Sequence, residues 1–206
     1  MNEAARAEHR AFLNRYYGAS RLFYDATRKH YLFGRDRALR DLAHDRTWHR
    51  LAEIGPGTGR NLTRLRKARP DTALGGIEAC DAMLEHARAR CPWAVLQHGF
   101  AEDASLGSLF GGPPDVVLFS YCLSMVGDRT AALVHARRSL APGGRVVVVD
   151  FGDFGGLPRP VADAFRAYLR AFRVDPLDGD ALAGAASVVH GPARYYVVAT
   201  FSAARA

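Results

Sequence analysis

The sequence predicts an α/β fold in which a doubly wound, mostly parallel sheet carries helices on both faces. From His49 onward, short apolar runs alternate with helical stretches, which is typical of parallel strands buried on both sides. Before that point, residues 3–46 show apolar positions at helical spacing. We therefore expect one domain, with an N-terminal helical cap at 1–46 and the sheet within 47–206.

Each element has a local signal in the chain. Gly34 is expected to end a helix that begins near Arg21, and the segment between the fifth helix and the last strand is predicted as loop. Helices are predicted at about 21–33, 58–68, 80–90, 129–140 and 161–172. Strands are predicted at 50–54, 73–78, 94–97, 115–119, 145–150 and, antiparallel to the rest, 194–201.

The composition excludes several classes of protein. The chain has 206 residues, of which 49% are hydrophobic and 24% charged, so it is neither disordered nor collagen-like. It contains no run of eighteen apolar residues and no apolar stretch near its start that would suit a secretory signal. Three cysteines without metal-ligand spacing predict reduced thiols and a cytoplasmic protein.

Positive charge is concentrated at the N-terminus. Residues 1–50 contain eleven bases and six acids, +5 of the formal +7. Such a segment could meet nucleic acid, an anionic membrane surface or an acidic substrate. Almost all of the bases are arginine, so coding bias also explains part of the excess.

A glycine-rich turn follows the first predicted strand. Glu53 closes that strand, and Gly55, Gly57 and Gly59 follow at alternate positions before a helix that begins near Thr58. Glycine permits a tight turn and lets a ligand approach the backbone. In a doubly wound sheet this turn lies at the carboxyl edge, where such folds bind ligands.

A second acidic residue closes the next strand. Glu78 lies twenty-one residues after Gly57, where a carboxylate can accept hydrogen bonds from both hydroxyls of a ribose. These two features are compatible with a nicotinamide enzyme and with a user of an adenosyl group. The glycine spacing is E-x-G-x-G-x-G, however, rather than the G-x-G-x-x-G of dinucleotide sites.

This pattern resembles the glycine motif of class I S-adenosylmethionine-dependent methyltransferases. The turn at 142–144, with its following strand, and the run FSYCLSMV after the 115–119 strand resemble later motifs of that family. The resemblance implies S-adenosylmethionine as cofactor, with the glycines at the methionine moiety, Glu78 at the ribose and residues 100–102 beside the adenine. Glu53 would either order the loop or meet the cofactor ammonium. The residues expected at the cofactor are Glu53, Gly55, Gly57, Gly59, Asn61, Glu78, Ala79, Met83, Phe100, Ala101, Glu102 and Ser120.

The run after the fourth strand bears on the acceptor. Methyltransferases of nucleic-acid bases typically carry Asn/Asp-Pro-Pro-aromatic there, whereas this chain has Ser120-Tyr121-Cys122. Nucleic acid is therefore not expected as a partner, and no acid-rich cluster suggests a metal.

The N-terminal segment gives a finer resemblance. Its motifs YDATR and FGR, together with GTGRNL and FSYCLSM later in the chain, resemble those of bacterial N-methyltransferases that convert diacylglycerylhomoserine to a betaine lipid. Tyr24, Arg28 and Tyr121 are the candidate catalytic residues, because aromatic faces attract a quaternary ammonium. Arg28 or Arg35 could meet a carboxylate or phosphate of the acceptor.

Other functions remain open from the sequence alone. The acceptor could be phosphatidylethanolamine or a small soluble amine or hydroxyl compound instead. More distant alternatives are a nicotinamide-dependent oxidoreductase and a non-catalytic cofactor sensor or RNA-binding module. The basic cap also predicts peripheral contact with the inner membrane face, and the oligomeric state stays open.

Overall fold

Strands and helices alternate along the described chain. The computed structural model describes residues 32–204, so Tyr24, Arg28 and the predicted cap before Leu32 lie outside the described residues. The helices are α1 (Arg35–His44), α2 (Arg60–Ala68), α3 (Asp81–Arg90), α4 (Arg129–Arg138) and α5 (Arg159–Arg170). The strands are β1 (Arg50–Ile54), β2 (Ala73–Glu78), β3 (Val95–His98), β4 (Val116–Ser120), β5 (Arg145–Phe151), β6 (Ser187–His190) and β7 (Tyr196–Ser202).

One seven-stranded sheet organises the molecule, in the order β3-β2-β1-β4-β5-β7-β6. The first five strands pair in parallel, and β7 pairs antiparallel with β5 and β6. The predicted fold class is confirmed. Because the strand order reverses between β1 and β4, their carboxyl ends open a crevice at this switch point.

Alternate residues of the central strands supply two cores, one on each face. In β4, Val117 and Phe119 join the core that contains Ala199 and Phe201 of β7. Val116 and Leu118 face the opposite core, together with Trp48. This two-sided burial explains why the central strands are continuous apolar runs.

Two sequence predictions need correction. The segment predicted as loop before the last strand contains β6, whose four residues are all exposed at the edge of the sheet. Exposure and short length removed the apolar signal by which strands are recognised. Helix α2 begins at Arg60 rather than near Thr58, because Gly59 adopts a left-handed backbone (φ 75°) as its N-cap.

Tyr196 at the start of β7 connects two distant turns. Its ring lies against Gly34, the left-handed N-cap of α1, on one edge and against Gly191 on the other. A Cβ at either glycine would overlap the ring. Gly34 thus begins a described helix, while the helix it was expected to end lies outside the described residues.

Candidate cofactor and acceptor site

A cleft opens at the carboxyl ends of β1, β2 and β4. It encloses about 980 Å³ of empty space, including the part open to solvent, a size that suits a small organic ligand. Of the twelve residues expected at a cofactor, eleven line this cleft: Glu53, Gly55, Gly57, Asn61, Glu78, Ala79, Met83, Phe100, Ala101, Glu102 and Ser120.

Gly59 is placed differently from this expectation, since it does not line the cleft. A Cβ at Gly59 would lie 2.8 Å from the Cys91 sulfur and 3.7 Å from the Ala87 Cβ. The missing side chain therefore lets α2 approach α3. Gly59 serves helix packing, and the spacing of the motif alone could not separate this role from ligand contact.

The glycine turn is held by Glu78. Gly57 N donates to Glu78 Oε2 at 3.0 Å, and Cys80 N donates to Oε1 at 2.9 Å. Burial raises the pKa of Glu78, and these backbone donors act in the opposite direction. The Ala79 backbone also donates to this carboxylate, and since a carboxylate offers about four acceptor sites, Glu78 can still accept a hydroxyl group from the cleft.

Glu53 is a buried acid at the end of β1 that lines the cleft. It is 1% exposed, and Asn61 Nδ2 donates to its Oε1 at 2.7 Å. Burial raises the pKa of Glu53 to about 8, with Asn61 lowering it and Glu78 raising it further. Its Oε2 has no hydrogen-bond partner within residues 32–204. An unsatisfied buried acceptor at a ligand cleft is suited to a cationic donor from the ligand.

Two arginines line the same cleft. Arg35 Nε and Arg60 Nη1 are buried and have no hydrogen-bond partner among the described residues. From the sequence, Arg35 was expected to bind an anion of the acceptor, whereas Arg60 had no predicted role although it lies within the GTGRNL motif. Its position after three glycines was the available signal.

Tyr121 also lines the cleft. It has a left-handed backbone (φ 54°), and its hydroxyl donates to the Phe33 carbonyl oxygen. Burial, together with the charge of Asp150, raises the pKa of Tyr121 well above that of an ordinary phenol. The phenol therefore stays neutral and cannot serve as a general base, but its ring remains available to the cleft.

Asp150 anchors the segment that follows Tyr121. This fully buried carboxylate accepts from Ser124 N at 3.0 Å and from Phe151 N at 2.8 Å. Burial raises its pKa to about 6, against these hydrogen bonds. The 3-10 turn Leu123–Met125 is thereby fixed beside the cleft, which Met125 lines.

The polar groups of the cleft fit S-adenosylmethionine. The cofactor carries an ammonium, a carboxylate and two ribose hydroxyls, which match Glu53 Oε2, the unpartnered arginine donors and Glu78. A Cβ at Gly57 would meet nothing within 4 Å, so this part of the turn leaves room for a ligand against the backbone. Within residues 32–204, no three His, Cys, Asp or Glu side chains are grouped as a metal ion would require.

Comparison with known proteins agrees with this site. A family described as a methyltransferase domain matches residues 52–146. A demethylmenaquinone methyltransferase from Thermus thermophilus is 30% identical over 78% of this chain and 74% of its own length. A dTDP-3-amino-3,4,6-trideoxy-α-D-glucopyranose N,N-dimethyltransferase from Streptomyces venezuelae is 35% identical over 53% of the chain, which spans only 46% of that relative.

Solved structures show the same architecture. A possible histamine N-methyltransferase from Thermotoga maritima superposes with a TM-score of 0.69 at 20% identity, covering 95% of this chain and all of that one; at this identity the likeness shows the fold alone. An S-adenosylmethionine-bound amino pentose methyltransferase from Micromonospora echinaspora has a TM-score of 0.52 at 27% identity, covering 61% of this chain and 54% of its own. By its glycine turn, its sheet order and these relatives, the chain belongs to the class I S-adenosylmethionine-dependent methyltransferases.

Proposed function

We propose that this enzyme methylates the amine of an amphiphilic acceptor, a lipid headgroup of the diacylglycerylhomoserine type. S-adenosylmethionine supplies a methyl group on a sulfonium centre that is already a good leaving group. The protein therefore contributes chiefly by positioning the acceptor nitrogen in line with that methyl group. Glu78 would hold the ribose, and Phe100, Ala101 and Met83 would enclose the adenine.

The observation that carries this proposal is an aromatic cluster running from the cleft wall to the surface. Tyr121 contacts Phe151 edge-on, with ring centroids 4.8 Å apart. Phe151 contacts Tyr195 at 5.9 Å, and Tyr195 contacts Phe165 of α5 at 6.1 Å. Phe151 is buried in the core, whereas Phe165 is 39% exposed, so an acceptor with its amine in the cleft would rest its apolar tail on the exposed outer end of this cluster.

Helix α5 continues the cluster as an exposed apolar stripe. Val161, Phe165 and Tyr168 are 43%, 39% and 63% exposed, and their spacing places them on one face of the helix. The segment 159–173 contains four arginines and one acid. Apolar side chains among arginines suit an anionic membrane surface. No helix among residues 32–204 is long and apolar enough to cross a membrane. The proposed contact through this face is peripheral, from the cytoplasm.

The ring of Tyr121, which lines the cleft, would meet a methylated ammonium by cation–π attraction. Tyr24 and Arg28, which lie outside the described residues, are proposed to complete this surface. A nucleic-acid acceptor is not proposed, because residues 120–122 lack the Asn/Asp-Pro-Pro-aromatic motif typical of methyltransferases of nucleic-acid bases.

A small soluble amine is the second candidate acceptor. It is favoured by the relatives whose names specify amino-sugar N-methylation, one of them 35% identical over 112 residues. The name of the Thermus relative adds a demethylated quinone to the acceptors that need testing.

An acceptor panel tests the proposal. The purified chain would be incubated with methyl-labelled S-adenosylmethionine and diacylglycerylhomoserine, phosphatidylethanolamine, demethylmenaquinone or a dTDP-amino sugar, with lipids in mixed micelles. We expect label in the lipid extract with diacylglycerylhomoserine. Label that enters only the amino sugar or only the quinone would contradict the amino-lipid proposal.

A further inference from the structure

Strand β4 leads into the cleft through a residue with an uncommon backbone. Tyr121 is left-handed (φ 54°), which costs free energy in a residue other than glycine and persists only where surrounding contacts hold it. Tyr121 N donates to the Val149 carbonyl oxygen at 2.7 Å. Three residues later, Ser124 N donates to Asp150 Oδ2 at 3.0 Å. Consecutive residues of β5 therefore hold the turn at 121–124 at both of its ends.

The carboxylate that holds the second end is costly to bury. Asp150 is fully buried in β5, and burial raises its pKa to about 6 by opposing its charge. Both of its oxygens have backbone partners, since Phe151 N donates to Oδ1 at 2.8 Å. Hydrogen bonds to an ionised carboxylate are stronger than those to a neutral acceptor. Buried acids of this kind are concentrated at functional sites, so Asp150 is a candidate for a role in the reaction.

The charged and titratable groups around Asp150 leave it as a group whose charge changes near pH 6. Arg129 of α4 favours the ionised form of Asp150, and its other side is paired with Asp175 at 2.6 Å. The phenol of Tyr121 and the thiol of Cys122 stay neutral, because burial, with nearby carboxylates, raises the pKa of both. The neighbours of Asp150 therefore keep their charge states while Asp150 titrates.

The anchored turn carries side chains of the cleft. Tyr121 and Met125 both line it, and both pack in the cluster that contains Phe151, on the side proposed to take the acceptor. Glu78 holds the glycine turn through separate hydrogen bonds. A shift of the turn at 121–124 would therefore displace the acceptor side of the cleft and leave the bonds of Glu78 in place.

We propose that Asp150 is a positioning residue for the methyl acceptor, whose carboxylate holds Tyr121 and Met125 where the acceptor amine meets the methyl group. This inference rests on the proposed function for the side of the cleft that takes the acceptor. It does not depend on which acceptor of the panel binds there.

Steady-state kinetics of Asp150→Asn test the inference at pH 8. The acceptor is diacylglycerylhomoserine in mixed micelles, or whichever other compound of the panel takes the label. We expect the KM for the acceptor to rise about tenfold, a typical effect of losing a hydrogen bond to a charged group. The calorimetric affinity for S-adenosylhomocysteine should stay within about twofold of the unmodified chain, because the bonds of Glu78 are untouched.

A second variant alters the anchor from the other side. Ser124→Ala keeps the buried carboxylate and removes the hydroxyl that also bonds Asp150. The KM for the acceptor should rise by about threefold, since the backbone bond from residue 124 is retained. An acceptor KM that changed in neither variant would overturn the inference.

The pH dependence separates the charge of Asp150 from its shape. The ratio of kcat/KM between the unmodified chain and Asp150→Asn cancels the titration of the acceptor amine, which is common to both. We expect this ratio to fall from about tenfold at pH 8 to about threefold or less at pH 5, because protonation weakens the bonds that Asp150 accepts. An equal ratio at both pH values would show that the charge does not position the turn, and would overturn the inference.

Asp115→Asn is the matched control. Asp115 Oδ2 accepts from His49 N at 2.7 Å and from Arg50 N at 2.9 Å, so it is a similar anchor at the opposite end of the sheet, away from the cleft. This variant should leave the KM for the acceptor unchanged, and thermal denaturation would establish that every variant is folded. An equal rise in KM in Asp115→Asn, or an equal loss of S-adenosylhomocysteine affinity in Asp150→Asn, would show a merely structural role and overturn the inference.

Amide hydrogen exchange needs no acceptor and so separates this inference from the proposed function. The Ser124 amide should lose protection in Asp150→Asn and keep it in Asp115→Asn. Unchanged protection in Asp150→Asn would overturn the inference whichever acceptor the enzyme uses. A chain that labelled no compound of the panel, with protection lost as expected, would overturn the proposed function instead.

Discussion

Gly57 and Gly59 both adopt a left-handed backbone, with φ of 56° and 75°, but their surroundings differ. A Cβ at Gly57 would project into open space, whereas a Cβ at Gly59 would meet Cys91 and Ala87. The backbone strain of a side chain at positive φ, about 1–2 kcal/mol, is common to both positions. Any further difference in stability or ligand affinity between alanine variants at the two positions therefore reports on ligand contact or on helix packing.

We predict opposite consequences for alanine at these two positions. Gly57→Ala should cost only the backbone strain in stability but weaken S-adenosylhomocysteine binding at least about tenfold, because the methyl group occupies ligand space. Gly59→Ala should lower the melting temperature more, since α2 and α3 must separate. Thermal denaturation and calorimetry on both variants measure these effects. A Gly57→Ala variant that bound the ligand normally would show that the turn does not contact it.

The positions of the cleft side chains were predictable from sequence to different degrees. Glu53 and Glu78 were expected in the cleft, and line it, because acids at strand ends of a doubly wound sheet face the ligand edge. Arg60 was missed because an arginine in the first turn of an amphipathic helix is usually solvated. The hydroxyl direction of Tyr121 depends on its left-handed backbone and on Phe33 eighty-eight residues away, and no local pattern contains that information.

At the scale of elements, helix α5 has an apolar face that the protein core does not use. We predict that the chain binds vesicles of phosphatidylglycerol and phosphatidylcholine at low salt, and that the double substitution Val161→Ser and Tyr168→Ser weakens binding several-fold. Lost apolar contact with the bilayer is the reason. Vesicle co-sedimentation is the measurement.

The edge strand β6 supplies the control. Val188 and Val189 are 40% and 44% exposed, so Val188→Ser and Val189→Ser remove similar apolar surface at another place. Vesicle binding that fell equally in both double variants, or that was absent from the unmodified chain, would contradict a docking role for α5.

Strands could be predicted from the sequence where their residues are strongly buried. The strands β1 and β2 lie at their predicted bounds because both are apolar runs ended by turns. β6 was missed because its pairing with β7 is a non-local property that its exposed residues do not encode. The contact of α5 with the aromatic cluster could not be predicted from the sequence either, because the cluster contains residues from four separate segments of the chain.

For the whole molecule, buried acids set the response to pH. The pKa values of Glu53, Glu78 and Asp150 are all raised by burial. A raised pKa means that the folded state holds its proton more tightly than the unfolded state. The stabilising contribution is full below the unfolded pKa and is lost as pH rises through the folded one. For Glu53 this window runs from 4.5 to about 8.

We therefore predict that the ligand-free chain loses stability between pH 5 and pH 8, by an amount on the order of a few kcal/mol in the free energy of unfolding. Glu53→Gln, which cannot ionise, should flatten this decline, and denaturant titrations across the pH range measure it. Asp71→Asn, at an exposed carboxyl, should leave the slope unchanged. A Glu53→Gln profile as steep as that of the unmodified chain would refute the assignment to Glu53.

The overall topology was predictable because the alternation of buried strands with helices leaves few arrangements of the chain. The partner of the N-terminal basic segment could not be predicted in the same way, since charge specifies a class of partner rather than a contact. Its proposed role therefore depends on the vesicle and acceptor experiments.

The ring of Tyr196 between Gly34 and Gly191 has a consequence for local opening. The N-cap of α1 and the turn between β6 and β7 are distant in sequence but hold the same side chain, so neither can move far without releasing it. The first turn of α1 and the β6–β7 hairpin should then open as one cooperative unit. In native-state hydrogen exchange, their amides would share a single opening free energy and a single denaturant dependence.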